Sequence, residues 1–317
     1  MRIVFMGTPD FSVPTLRTLA ESDNEIIAVY TQPDKPKGRG HAMQFTPVKE
    51  CAIEYNIPVY QPQRIRDVIC VNELKEMAPD VIIVVAYGQI LSKELLEIPK
   101  YGCINVHASL LPKYRGAAPI QWAVIDGEEI TGVTAQLMDV GIDTGDMLEK
   151  IVVPIDKDET GGSLHDKLSV LGGELILRVF EKIKNGTLTR EKQNEEAATH
   201  CGKLDKAMGL LDFGKPAVQI ERLIRGLNPW PCAYTSLDDK ILKIWKADVL
   251  DFKDLKAVAH IDDSEYGTIL KVTKDAIMVK ALDGIVSISE LQLEGKKRMD
   301  ASDFIRGYQT LEGKVLG

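Results

Sequence analysis

Asn105 and His107 stand two residues apart in the stretch CINVHASLLPKYRGAAP, residues 103–119. On a strand both side chains would leave the same face. An amide donor beside an imidazole is a pair suited to holding a carbonyl oxygen as it becomes an oxyanion, and to moving a proton in the same step. A carboxylate is available in DVGIDTGD, residues 139–146, which holds Asp139, Asp143 and Asp146. Asp and Gly also build ordinary tight turns, so the loop gains weight from its place. It follows the next predicted strand, which would bring it to the edge that carries His107, where a carboxylate orients an imidazole ring. Ser109, Leu110, Leu111 and Pro112 form a short polar-to-apolar run beside the pair, stiffened by the proline.

The elements that must position these residues are legible upstream. RIVFM (2–6), EIIAVYT (25–31), IPVY (57–60) and VIIVVA (81–86) are apolar runs without alternation. Helical segments separate them: one through Leu16 and Leu19, one starting at Pro47 with Thr46 as N-cap, and one around 67–77. This pattern predicts an α/β domain, doubly wound and Rossmann-like, with a parallel sheet covered on both faces. In such sheets ligands sit outside the carboxyl ends of the strands. GVTAQLMD (132–139) and LEKIVVPI (148–155) predict two more strands. Leu164, Leu168, Leu171, Leu175 and Val179 mark one long helix over 163–184, with Asn185-Gly186 as its stop.

Residues 187–203 are polar and lack periodicity, which predicts a linker, drawn to 206, or else a surface excursion of the first domain. A helix follows at 217–227. Short alternating segments come next, two of them joined by Asp283-Gly284, a good hairpin pair. These predict a small antiparallel, OB-like β-barrel. The expected organisation is therefore a first domain at 1–186, a linker at 187–206 and a second domain at 207–317.

The formal charge is −8, from 39 basic and 47 acidic side chains. Residues 201–317 carry 18 of each, so the whole imbalance falls on the first 200 residues, and no global basic field advertises nucleic-acid binding. The five cysteines (Cys51, Cys70, Cys103, Cys201 and Cys232) show no CxxC spacing, so neither a disulfide framework nor a zinc site is indicated, and a reducing cytoplasm is expected. The longest apolar run, VIIVVAY at 81–87, suits a buried strand and is too short to span a bilayer. After the first strand, GTPDFS puts Pro9 where a dinucleotide motif needs glycine, and there is no Walker A motif. A nicotinamide-dependent oxidoreductase with an appended barrel is thus the weaker reading. A non-catalytic nucleic-acid module is a third.

Basic residues cluster locally. QPDKPKGRGH (32–41) interleaves Lys35, Lys37, Arg39 and His41 with Gly and Pro, which predicts an irregular cationic finger for phosphates, or else a solvated loop. Lys296, Lys297 and Arg298 form a second cluster. Lys243 and Lys246 flank Trp245 on a predicted barrel strand, an arrangement that offers charge and an aromatic face to a nucleic acid, although the tryptophan also suits a core.

Taken together, FMGTPDFSVPTL, TQPDKPKGRG, VVAYGQIL, GCINVHASLLPKYRGAAPIQWA, GVTAQLMDVGIDTGDML, NPWP and VKALDGIV resemble the folate-dependent formyltransferase family along nearly the whole chain. GRG, NPWP and the second domain resemble the branch that acts on charged initiator tRNA; a formyltransferase for an amino sugar or a purine precursor is the nearest alternative. The resemblance implies transfer of a formyl group from 10-formyltetrahydrofolate to the α-amine of methionine on initiator tRNA, without a metal. It implies catalytic roles for Asn105, His107 and Asp143. It implies a folate pocket lined by Ser109, Leu110, Leu111 and Pro112 and by the main chain of Tyr87, Gly88, Gln89 and Ile90 and of Asp139, Val140, Gly141 and Ile142. Arg39, with Lys35 and Lys37, would reach the acceptor end of the tRNA. Lys243, Lys246, Lys296, Lys297 and Arg298 would hold its stem. A cytoplasmic monomer with no membrane contact is expected.

Overall fold

The computed structural model describes residues 1–37, 42–254, 263–308 and 310–317, which form two compact units. The first is built from Met1–Pro119, Ile130–Pro154 and His165–Cys201. The unalternated apolar runs become central strands. Arg2–Gly7 pairs in parallel with both Glu25–Tyr30 and Val81–Val85, and the latter pairs in parallel with Cys103–His107. Ile3 to Met6 and Val81 to Val85 are buried, as strands covered on both faces must be. The seven-stranded order is Met147–Pro154, Ile130–Leu137, Cys103–His107, Val81–Val85, Arg2–Gly7, Glu25–Tyr30, Val59–Tyr60.

One strand runs against the rest: Ile130–Leu137 is antiparallel to Cys103–His107 on one side and to Met147–Pro154 on the other, so Met147–Pro154 runs in the same direction as the other strands. The helix expected over 163–184 is two helices, Gly161–Ser169 and Leu171–Lys184, parted at Val170. The break precedes Gly172-Gly173, where an added Cβ would meet Thr15 Oγ1 at 2.3 Å and the Thr18 Cβ at 2.5 Å. Glycine is a poor helix former; here it lets Leu171–Lys184 lie against Val13–Ala20. The helix stops as expected: Gly186, at φ +65, donates to Ile183, and Thr187 donates to the Lys182 carbonyl at 2.9 Å.

The segment expected as a linker is not one through Cys201. Glu191 exchanges main-chain hydrogen bonds with Met147, and His200–Cys201 pairs in parallel with Arg115–Gly116. Its polar side chains and missing periodicity reflect a strap that satisfies its backbone on the rest of the first unit rather than through a helix or a long strand.

The second unit comprises Ile120–Glu129, Ile155–Leu164 and Gly202–Gly317. Its antiparallel sheet follows the order Ala233–Leu237, Lys240–Leu250, Ile285–Leu293, Ile277–Lys280, Ile269–Val272, with Met299–Asp300 on Ile285–Leu293. Residues Gly313–Gly317 join its two ends. Gly313 and Leu316 bond Ile269 and Gly267 on one side, and Gly317 bonds Ser236 on the other. Ile220 and Ile224 of helix Ala217–Gly226 pack into a core with Leu242, Ile244, Ile288 and Leu291. The hairpin residue Asp283 accepts the Ala217 N–H at 2.8 Å, so the turn also caps that helix. Among the described residues, no helix is long and apolar enough to cross a membrane, and no cluster of His, Cys, Asp or Glu could hold a metal ion.

Candidate active site

Cys103–His107 is an interior strand, so its alternate side chains face covering layers on both sides. Asn105 lies opposite Gln136 and His107 opposite Thr134 on the antiparallel neighbour. Cross-strand partners share a face, so these four polar side chains form one patch in an otherwise apolar sheet. Thr134 is fully buried and sets the turn that follows His107: its hydroxyl donates to the Ser109 carbonyl at 2.6 Å and accepts from the Leu111 N–H at 3.2 Å.

Asp143 completes the patch by a route different from the expected one. Ile130–Leu137 is antiparallel, so the loop after it leaves from the Ile104 end of the strand pair rather than the His107 end. The loop returns across the face. There Asp143 Oδ1 accepts from Gln136 Nε2 at 2.7 Å and lies 3.5 Å from Asn105 Nδ2 and 3.6 Å from His107 Nδ1. Its Oδ2 accepts the Gly116 N–H at 2.9 Å. His107 is buried and its Nε2 lies 2.8 Å from the Tyr114 carbonyl oxygen, which can only accept. The Nε2 proton is therefore committed to Tyr114, and Nδ1 faces the carboxylate. Asn105 is half-buried, and its long contact to Asp143 leaves most of its donor capacity unspent.

Three further residues hold this arrangement, none of them singled out from the sequence. Gly116, at φ +102, supplies the N–H to Asp143. Gln193 Nε2 donates to the carbonyls of Asp143 and Gly145, both at 2.8 Å. Arg115, 2% exposed, donates from Nε to Gln193 Oε1 at 2.9 Å and forms a bidentate pair with Glu195 at 2.7 and 2.9 Å. Gln136 had a readable signal, because Thr134 and Gln136 repeat in an apolar strand the two-residue spacing of Asn105 and His107.

The residues expected to line a folate pocket fall into three stretches. Ser109 donates to the Lys113 carbonyl at 2.6 Å, and Leu111 is buried. The Tyr87 carbonyl is gripped by Thr8 Oγ1 at 2.9 Å and Gln32 Nε2 at 3.2 Å; Gly88 takes φ +84, and the Gln89 side chain bonds Ile65 and Pro62. Asp139 Oδ1 accepts from the Gly141 N–H at 3.0 Å and from Thr144 at 2.6 Å, shaping the next loop. Ile90, Val140 and Ile142 are exposed at 77%, 74% and 69%, an unusual state for large aliphatic side chains.

The basic residues are spread more widely. Lys35 and Lys37 lie on a short strand, Lys35–Lys37, paired with Ala42–Gln44, so the loop expected to be irregular is a hairpin in the part described. Arg39 and His41 lie outside the described residues. At the hairpin base, Lys49 bonds Asp34 and, at 2.8 Å, Gln61; the Lys49 ammonium holds the Asp34 carboxyl below the usual carboxylate range. In the second unit Lys246, Lys296 and Lys297 are exposed and Lys243 is half-buried. Arg298 is engaged within the unit: it pairs with Glu290 through Nε and, at 2.6 Å, through Nη2, and its guanidinium lies over the Trp245 ring, 4.4 Å from the centroid.

Residues 1–180 match the family model "Formyl transferase", and residues 203–309 match "Formyl transferase, C-terminal domain". The chain is 55% identical over 316 residues to the methionyl-tRNA formyltransferase of Agathobacter rectalis, covering 100% of this chain and 99% of that one. It is 51% identical over 317 residues to the methionyl-tRNA formyltransferase of Clostridioides difficile, covering 100% of both. Among solved structures, the N-formyltransferase of Helicobacter canadensis in complex with folinic acid and dTDP-3-aminofucose shares the fold, with a TM-score of 0.67 at 19% identity over 94% of this chain and 99% of that one.

Proposed function

The chain belongs to the formyl transferase family in its N-terminal and C-terminal parts alike, and on that footing we propose that it formylates methionyl-initiator tRNA with 10-formyltetrahydrofolate. The full-length relatives, named methionyl-tRNA formyltransferases at 48–55% identity, favour this acceptor over an amino sugar or a purine precursor. The product, formylmethionyl-tRNA, starts translation, and the enzyme works as a cytoplasmic monomer.

The mechanism follows from the patch on the sheet. The neutral α-amine attacks the formyl carbon, and the carbonyl oxygen takes up the negative charge. Asn105 Nδ2 donates to that oxygen. The Nδ1 side of His107, backed by Asp143, receives and returns the proton that must leave the amine nitrogen and arrive on N10 of the folate. The new C–N bond forms, the old C–N10 bond breaks, and no net proton is gained or lost. An oxyanion donor of this kind is worth about two to three orders of magnitude in rate, and acid–base assistance about two to four.

The observation that carries this reading is the convergence of Asn105, His107 and Asp143 within 3.6 Å on one sheet face. The exposed Ile90, Val140 and Ile142 support folate binding along Tyr87–Ile90, Ser109–Pro112 and Asp139–Ile142, because an aromatic pterin needs apolar cover. Lys35, Lys37 and Arg39 engage the acceptor end of the tRNA, and Lys243, Lys246, Lys296 and Lys297 its stem. The test supplies formyl donor with charged initiator tRNA and, separately, with amino sugars. Formylation of the tRNA alone is expected; turnover of an amino sugar with none on the tRNA would overturn the reading.

A further inference from the structure

We propose that Gln193 is a positioning residue for the transfer, holding the backbone of Asp143 in the conformation that aims its carboxylate at His107. The inference rests on the reading of Asn105, His107 and Asp143 as the reacting groups.

Asp143 sits at φ +54, in the left-handed region. A residue with a side chain is strained there and persists only where neighbours hold it. The carboxylate end is held by Gly116 and Gln136. The main-chain end is held by the Gln193 amide, whose two N–H bonds reach the carbonyls on either side of Thr144, those of Asp143 and Gly145. The orientation of that amide is forced. Its Oε1 faces the Arg115 Nε–H at 2.9 Å, and a guanidinium has no acceptor, so the NH₂ must face the loop. Arg115 is in turn fixed by Glu195 and precedes Gly116, whose N–H meets the carboxylate. The strap and the 114–117 turn thus grip both ends of one aspartate, and leave Oδ1 facing Asn105, Gln136 and His107.

If Gln193 served only to fasten the strap, its bond with Arg115 would suffice. Gln193→Glu separates the two roles. It is isosteric and can still accept from Arg115, but it has no N–H for the two carbonyls. We expect Gln193→Ala and Gln193→Glu both to lower kcat by about ten- to a hundredfold, the scale of a small misplacement of a reacting group. KM for the formyl donor and for charged tRNA should stay within about threefold. In an Asp143→Asn background, Gln193→Ala should have little further effect, because the group it positions is already gone. A parent-like kcat in Gln193→Glu would overturn the proposal. So would Gln193→Ala lowering the rate of Asp143→Asn by the same factor as it lowers the parent's. If Asp143→Asn alone keeps the parent kcat, the reading of the site itself fails and the clamp with it. Should Gln193→Ala fail to fold, the isosteric variant and its own cycle with Asp143→Asn carry the test.

Discussion

The Nε2 of His107 donates to the carbonyl oxygen of Tyr114, 2.8 Å away, and this decides which nitrogen can work. Tyr114 takes a left-handed conformation, φ +60, and its own N–H is held by Thr199 at 2.8 Å, so the acceptor is rigid. The ring is left with Nδ1 toward Asp143 at 3.6 Å. In the reaction proposed above, proton movement would then pass through Nδ1, on the side shared with Asn105.

Substitution of the reacting groups should therefore be felt in the chemical step. Asn105→Ala, His107→Ala and Asp143→Ala are each expected to lower kcat by about a hundredfold or more, with unchanged circular dichroism. Single-turnover formylation of charged initiator tRNA measures this. Near-parent rates in all three variants would dismiss the site.

Gly116→Ala is expected to be worse than its size suggests. Gly116 sits at φ +102, and an added Cβ would lie 2.6 Å from the Cys201 carbonyl oxygen. The turn or the strap must shift, and the Gly116 N–H leaves Asp143 when it does. The prediction is a loss of stability of about 1–3 kcal/mol, seen as a lower melting temperature, together with a drop in kcat. Parent-like values of both would contradict the account of the turn.

The two kinds of basic residue in the second unit should separate experimentally. Arg298→Ala removes the pair with Glu290 and the stacking on Trp245, and should cost about 1 kcal/mol of stability. Lys296→Ala and Lys297→Ala should leave the melting temperature in place and make tRNA binding less sensitive to salt. The log–log slope should fall by about 1 for each phosphate that a lysine no longer neutralises. Unchanged salt slopes would remove these lysines from the tRNA interface.

Buried thiols and phenols make an alkaline limit to stability. Burial pushes the Cys103 thiol from its ordinary 9.0 up to about 12, and also raises Cys51, Cys232, Tyr30 and Tyr87. In each case the folded chain holds its proton more tightly than the unfolded one. The stability they contribute is complete below the unfolded value and is lost as pH rises from there toward the folded value. The melting temperature should be flat near neutrality and fall above about pH 9. Cys103→Ala should soften that fall; an identical alkaline decline would show that Cys103 plays no part in it.

The elements that rest on local patterns were legible. The unalternated strands, the Thr46 cap, which accepts the Lys49 N–H at 3.1 Å, and the Asp283-Gly284 hairpin are each specified within a few residues. Asn105, His107 and Asp143 were legible as residues, but the path that joins them was not. The sequence of Ile130–Leu137 carries no mark of its direction, and an antiparallel strand sends the following loop out at the opposite edge. Gln193 and Arg115 were hidden for another reason. Their partners lie about 50 to 80 residues away in the chain, and a strap that bonds through isolated side chains has no period to detect.

The second unit is assembled from three separate stretches of chain. Trp122 bonds the Gly202 carbonyl at 3.0 Å, Arg222 reaches Asp126, and Arg225 bonds the Glu159 carbonyl at 2.8 Å, so residues far upstream complete it. A hybrid gene joined at one crossover between two formyltransferases would mix seams that each parent had matched. To transplant this unit intact, an engineer has to carry Ile120–Glu129 and Ile155–Leu164 along with everything after Cys201.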